Sequence, residues 1–380
     1  MRALDAGARG CPGPEPADLA GLHRSALACY RGAVFRRARA AVVVTALTAA
    51  TVVALPSLQA DPTSAAKTHH LGRGFRNLDP GYRYSLIDRL WRGLRQGADR
   101  RRPVARALTP LPNDGAALRA NGTSPTVTWI GHATLLVQLN GVNILTDPHW
   151  GDRASPVGFA GPRRLVPPGI RFEDLPPIHL VLVSHDHYDH LDEDTVVRLA
   201  RVHRPTFVVP LGIKAWLADL GITRVVELDW WEESSYGPLR VASTPAQHSS
   251  GRGLHDQNVR LWSSWVVIGP DRRFFFAGDT GYFAELAEIG QRYGPFDLTA
   301  IPIGGYSSWE SGHPNHVNPE EAVQVFEDVR GRLLAPVHWG TFTMNREPVK
   351  EPPGRLLAEA LRRGLEERIA PLSPGQSIDW

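Results

Sequence analysis

Ser184-His185-Asp186-His187-Tyr188-Asp189-His190-Leu191-Asp192 is the densest cluster of potential metal ligands in the chain. His185, His187, Asp189 and His190 put three imidazoles and a carboxylate within six consecutive residues. Without a cation to hold them together, such groups would repel one another or sit desolvated to no purpose. Before the cluster, Ile178-His179-Leu180-Val181-Leu182-Val183 is a short apolar run that reads as a buried strand. After it, Asp192-Glu193-Asp194-Thr195-Val196-Val197-Arg198-Leu199 opens like a helix, with acids in its first turn. A strand ending in a ligand-bearing loop sets reactive groups on a rigid support. The alternative, a polar loop with histidines by chance, is disfavoured by so specific a spacing.

On the N-terminal side, the main domain is expected to begin near Thr126. Val127-Thr128-Trp129-Ile130 and Leu135-Leu136-Val137-Gln138-Leu139 read as strands, and Asn140-Gly141 as the hairpin turn into Val142-Asn143-Ile144-Leu145-Thr146. On the other side the pattern predicts a helix over 192–201, a strand over 206–209 and a helical stretch around 212–220. Strands are expected at 224–228, 239–244, 261–268 and 273–277. Short strands near 298–303 and 332–336 then alternate with helices over 282–292, 319–328 and 354–365. Strand-rich halves separated and closed by helices predict an α/β (α+β) sandwich, two sheets packed face to face with helices outside. Four more potential ligands fall at the ends of these strands: Asp147, His248, Asp279 and His338. Taken singly, Asp147 before Pro148 could begin a turn and Asp279 could cap a helix. Their shared placement makes them site candidates.

The chain of 380 residues, 42% hydrophobic with 11 Trp, is long enough for a large buried core. Its net charge of +3 conceals a polarity: +4 over residues 1–60, +7 over 61–110 and −8 over 111–380. The basic character belongs to the N-terminal part, which favours an anionic surface there and argues against nucleic acid as a partner of the main body. Cys11 and Cys29 are the only cysteines. Thiolates therefore cannot ligate a metal in the main body; histidine and carboxylate must, which suits zinc without excluding manganese or iron.

Residues 1–35, rich in Gly, Pro and Ala, are expected to be disordered. Arg36, Arg37 and Arg39, an apolar run from Ala40 to Leu55 and small residues up to Ala60 make a signal-peptide pattern over 36–60. Cleavage and export are the favoured reading, with a retained membrane anchor as the alternative. In the basic extension over 61–125, Tyr84, Ile87, Leu90, Trp91 and Leu94 recur at helical spacing between arginines. That segment is either an interfacial amphipathic helix or a helix packed on the main body with a solvated basic face. Residues 98–124 read as a connecting loop.

The chain resembles the metallo-β-lactamase superfamily, whose ligand motif is His-x-His-x-Asp-His followed by separate His, Asp and His ligands. More narrowly it is similar to the N-acylphosphatidylethanolamine-hydrolysing phospholipase D family, in its bacterial type. The shared stretches include Trp129–Thr134, Thr146-Asp147-Pro148, Arg153–Pro156, Ser184–Asp192, Glu227–Glu233 and Phe274–Tyr282. Pro295-Phe296-Asp297, Ala300–Gly304, His316 with Pro319–Ala322, and His338–Phe342 complete them. The resemblance spans about residues 72–365. It implies the αββα sandwich and two divalent metal ions, expected to be Zn2+. One ion would be held by His185, His187 and His248, the other by Asp189, His190 and His338, with Asp279 bridging and Asp147 orienting ligands from behind. Tyr188 and His316 match positions that contact the substrate head group. Tyr188 could equally be a packed loop aromatic and His316 a helix-entry histidine. Two stretches, Tyr306–Asn315 and Ser249-Ser250-Gly251, depart from the mammalian members.

The expected activity is that of a dinuclear phosphodiesterase of phospholipase D type. It would cleave N-acylphosphatidylethanolamine to phosphatidate and N-acylethanolamine with a metal-activated hydroxide, His316 supplying a proton to the leaving group. Two divalent ions beside Asp189 and Asp279 leave a net positive centre, which suits a phosphodiester anion. The alternative on the same fold is a lactonase or other cyclic-ester hydrolase. An iron redox protein, a lipid-binding protein without catalysis and a nuclease are the remaining classes. The expected partners are a phospholipid substrate and a membrane surface, with no nucleic acid; a homodimer is compatible with the sequence.

Overall fold

The computed structural model describes residues 67–79, 108–306, 314–342, 344 and 347–380. The segment expected to be disordered (1–35), the signal or anchor segment (36–60) and the helix over 82–96 lie outside the described residues. Among the described residues, no helix is long and apolar enough to cross a membrane.

Asn140 and Gly141, at φ 49° and 77°, turn β2 (Thr134–Leu139) into β3 (Val142–Thr146). This is the two-residue hairpin that an Asn-Gly pair favours, because both positions need a positive φ. β1 (Thr126–Gly131) pairs antiparallel with β2, while β4 (Leu180–Leu182), β5 (Thr206–Pro210) and β6 (Val225–Leu228) continue from β3 in parallel. β13 (Ser377–Asp379) closes the other edge against β1, giving a seven-stranded sheet. The second sheet has six strands in the order β12-β11-β10-β9-β8-β7. These are β7 (Glu233–Tyr236), β8 (Leu239–Thr244), β9 (Ser264–Ile268), β10 (Arg273–Phe276), β11 (Leu298–Pro302) and β12 (Leu334–Val337).

Side chains alternate across the first sheet with the period of two that a strand imposes. Leu135, Val137, Ile144, Leu180, Leu182 and Val208 face the second sheet and meet Val241, Trp265, Val267, Phe274 and Phe276 in one continuous core. Leu136, Leu145, Val181, Phe207 and Val209 face the other way. They are covered by α2 (Glu193–Val202) and α3 (Ile213–Asp219) through Val196, Leu199, Ile213 and Leu217. The outer face of the second sheet is covered by α4 (Leu286–Tyr293), α5 (Pro319–Asp328) and α6 (Glu351–Arg363). A short α1 (Ala116–Ala120) precedes β1. The result is the αββα sandwich expected from the pattern. Burying Leu or Phe side chains on both faces of a sheet contributes about 1.5–3 kcal/mol each, so these layers are the main source of stability.

The differences from expectation are local. The strand expected over 178–183 narrows to Leu180–Leu182, because Asp147 takes the Ser184 N–H and ends the ladder there. The helix expected from 282 begins at Leu286, and the strand expected from 261 begins at Ser264. Two edge strands carry no apolar alternation to announce them: β7 is Glu-Ser-Ser-Tyr and half-exposed, and β13 has three residues. The loop expected over 98–124 contains α1.

Residues 67–79, which precede the expected start of the main domain, pack on it. Phe75 and Leu78 join Trp230, Ala246, Leu261 and Trp262 in a small apolar cluster, and Phe75 N donates to Asn258 O at 2.8 Å.

Candidate metal centre

β1 and β3 run parallel to one another through β2, and β8 is parallel to β10 through β9. The carboxyl ends of β1, β3, β4, β8, β10, β11 and β12 therefore collect at one end of the sandwich, where open sheets of this kind bind ligands. His132 follows β1, Asp147 follows β3 and the loop 184–192 follows β4; His248 lies just beyond β8, Asp279 beyond β10 and His338 directly after β12. His132, Asp147 and His338 all adopt positive φ (54°, 35° and 60°). Each costs about 1–3 kcal/mol for a residue other than glycine and persists only where the surroundings enforce it. Gly278, at φ 60°, has no such cost, and a Cβ there would lie 2.6 Å from Ser184 Cβ. Its missing side chain lets the turn carrying Asp279 close on the ligand loop.

All seven metal ligands expected from the sequence are brought together and buried apart from His187, which is half-buried. His185, His187 and His248 each offer one ligand atom within a common reach of 4.8 Å, and His132, Asp189, His190 and His338 form a second such set. Asp279 stands against both: its Oδ2 is 3.2 Å from His190 Nε2, 3.2 Å from His338 Nε2 and 3.8 Å from His248 Nε2. Asp189 Oδ2 is 3.2 Å from His190 Nε2 and 3.4 Å from His338 Nε2. Two ligands bound at about 2.0–2.1 Å to one tetrahedral ion lie about 3.3–3.4 Å apart. These spacings therefore fit ligands facing a shared cation. The His185 Nε2–His187 Nδ1 separation is tighter, at 2.8 Å, while His248 Nε2–His187 Nδ1 is 3.2 Å. His190 Nε2 and Asp279 Oδ1 are buried with no hydrogen-bond partner. Orphaned polar atoms of this kind are costly, and the donor set present fits a divalent metal.

The surrounding residues aim these groups. Asp147 Oδ2 lies 2.6 Å from His190 Nδ1, which turns Nε2 toward the centre, and it accepts from Ser184 Oγ at 2.6 Å. Asp147 thus sits behind His190 and fixes its ring. His248 Nδ1 lies 3.0 Å from Asn315 O, again leaving Nε2 to face inward. The ligand loop is tied from outside by Arg252, which donates to Asp186 O at 2.9 Å and to Leu191 O at 2.7 Å. The buried Asp186 carboxylate accepts from Gly251 N and Arg260 Nη1, each at 2.7 Å.

Without metal, burial opposes charge on His190, but Asp279, Asp189 and Asp147 outweigh it and hold its pKa well above the ordinary value. Burial likewise opposes charge on His338, and Asp279 and Asp189 push it up to about 9. Burial takes His248 down to about 3 against the pull of Asp279. On Asp279 and Asp189 burial works upward, yet His190 and the neighbouring imidazoles drive both well below the carboxylate range.

His132 was not among the expected ligands. It lies in the recognised stretch Trp129–Thr134, and its Nε2 is 2.9 Å from Asp189 Oδ2. The remaining sequence signal was its place in the turn after a strand. Of the two expected head-group contacts, His316 reaches the centre, with Nδ1 3.6 Å from Asp279 Oδ2. Tyr188 turns its hydroxyl to the carbonyl of Arg252 at 2.9 Å, and that guanidinium stacks on its ring. Beside His338 a cavity is lined by Gly304, Gly305, Trp339, Phe342, Met344 and Glu347.

Comparison with known proteins agrees with this architecture. Residues 142–339 match the model of the beta-lactamase superfamily domain. The chain is 43% identical over 312 residues to an uncharacterized protein of Mycobacterium tuberculosis, covering 80% of this chain and 82% of that one. It is 49% identical over 228 residues to N-acyl-phosphatidylethanolamine-hydrolyzing phospholipase D 1 of Caenorhabditis elegans, covering 57% of this chain and 64% of the relative. Among solved structures, a metallo hydrolase of the archaeon Ignicoccus hospitalis superposes with a TM-score of 0.53 at 24% identity, over 68% of this chain and 99% of the other. That likeness speaks to the fold.

Proposed function

The chain belongs to the metallo-β-lactamase superfamily and is a metal-dependent hydrolase, and from that premise we propose that it cleaves the phosphodiester of N-acylated phosphatidylethanolamine, releasing phosphatidate and an N-acylethanolamine. The observation that carries the reading is the pair of ligand sets, one of three residues and one of four, facing one carboxylate, Asp279. The similarity to the nematode phospholipase D supports the choice of bond. His185, His187 and His248 would hold one divalent ion, and Asp189, His190 and His338 a second, with Asp279 between them; zinc suits the donor set. When bound, the ions would supply a water nucleophile ionised near neutral pH and positive charge for the phosphoryl oxygens.

The chain's own residues do the rest. Asp147 and Asn315 fix the two imidazoles whose second nitrogens they hold, and His132 does the same for Asp189. His316, beside Asp279 and partly exposed, would contact the head group and return a proton to the leaving alkoxide. Tyr188 would border the head group. We place the enzyme, exported or membrane-associated, at a phospholipid surface that its basic N-terminal part would favour. It would act as a monomer or homodimer, with no nucleic-acid partner.

The test is mass spectrometry of products from a mixed phospholipid extract, comparing wild type with Asp279→Asn, alongside a panel of lactones. Release of N-acylethanolamine by the wild type alone is expected. Turnover of lactones with no phosphodiester cleavage would replace this reading with the cyclic-ester one.

A further inference from the structure

His248 sits past the end of β8, where the ladder no longer pairs its backbone. Its main chain is instead held by one side chain from 171 residues earlier. Asn77 Nδ2 donates to His248 O at 2.8 Å, and Asn77 Oδ1 accepts from His248 N at 3.0 Å. The same Oδ1 accepts from Trp262 Nε1 at 3.2 Å. Asn77 is buried, so its amide is matched on both ends, and these bonds form in a setting where an unmatched group would cost about 1–3 kcal/mol. The segment that presents it is anchored upstream, where Lys67, His69 and His70 converge on Asp229, and again where Phe75 bonds Asn258.

We propose that Asn77 is a positioning residue for the metal ligand His248, and that it sets the affinity of the ion held by His185, His187 and His248 in preference to its neighbour. Two points fix a peptide unit in translation and rotation. Asn77 supplies both for His248, and Asn315 O then sets the ring through Nδ1. The other set has no such dependence: His338 N donates to His132 O at 3.0 Å, and His190 is held by Asp147. Partners behind a ligand typically contribute 10–100-fold to metal affinity. The inference rests on the ligand role of His248 given above and is independent of the substrate.

The experiment measures zinc content and stepwise zinc affinity, by competition with a chromophoric chelator, for the full-length wild type, Asn77→Ala and Asn77→Asp. Asn77→Asp keeps the shape and the Oδ1 acceptor but sets an oxygen against the His248 carbonyl, so it remains informative if the alanine variant does not fold. In both variants one zinc equivalent should bind about 10–100-fold more weakly while the other is unchanged. Wild-type affinity for both equivalents overturns the proposal, as does equal weakening of both. His248→Ala in the same assay separates the premises: unchanged zinc binding there would remove the ligand assignment itself. Failure to find a phospholipid product would leave the zinc result standing.

Discussion

Around Asp229, the imidazoles of His69 and His70 and the ammonium of Lys67 each stand 2.7 Å from a carboxylate oxygen. Around Asp279, the imidazoles of His190 and His338 stand at 3.2 Å. Both clusters have the residue types of a metal site. The first has hydrogen-bond spacing and already contains its cation, since Lys67 also reaches Glu232 at 2.7 Å. The second has the spacing of ligands that share an ion, and among the described residues the ion partners of Asp279 are all imidazoles. Burial works against the charge of Asp229, but its bonds to His69, Lys67 and His70 hold it well below the carboxylate range. Composition alone does not separate a metal centre from a buried ion-paired cluster; interatomic spacing and orphaned atoms do.

The largest effect should separate the two carboxylates in catalysis. Asp279→Ala is expected to lower kcat/KM for a phosphodiester by about 10³-fold or more, and Asp229→Ala by less than about tenfold. Equal losses would erase the distinction. Exhaustive chelation comes next: if zinc stands at about 1,000 times its Kd, its removal should lower unfolding free energy by about 4 kcal/mol. Urea titrations with and without metal would read that loss, and Asp229→Ala should retain it. In the same titrations Asp229→Ala should itself cost about 2–3 kcal/mol, because it leaves His69 buried without its partner.

A fourth test uses pH. In the metal-free protein His338 keeps its proton up to about 9. The stability it gains from Asp279 and Asp189 is complete below an imidazole's usual pKa of about 6.5 and is lost as pH rises through about 9. A zinc ion bound through His338 would have to displace that proton, so its apparent affinity should fall about tenfold for each proton and pH unit below about 9. Chelator competition between pH 6 and 9 checks the slope; a flat response would mean that no histidine proton is released. The smallest effect is expected from Tyr188→Phe, within about threefold in kcat/KM, because its hydroxyl is engaged by Arg252. A larger loss would put that hydroxyl on the substrate.

Much of the site was legible in the sequence because its ligands follow strands. The run Ile178–Val183 and the aromatic stretch Phe274-Phe275-Phe276 signal burial, and each is followed by a polar residue that has no reason to be buried except to act. The strands β7 and β13 were not legible, being polar or three residues long. His132 was legible only as part of a recognised stretch, since its contact with Asp189 spans 57 residues and leaves no local period.

By itself the sequence determined the layered fold and most of the histidines and carboxylates that gather at the strand ends, because alternation along strands and the polar residues that follow them are written within a few residues of one another. Only the tertiary structure decided which histidines face a common point, that Lys67 rather than a metal answers Asp229, and that Asn77 holds His248. The Lys67–Asp229 and Asn77–His248 contacts each join residues more than 160 positions apart, and the His338 imidazole meets Asp189 across 149, so all of them exist only once the two sheets have packed and brought the strand ends together.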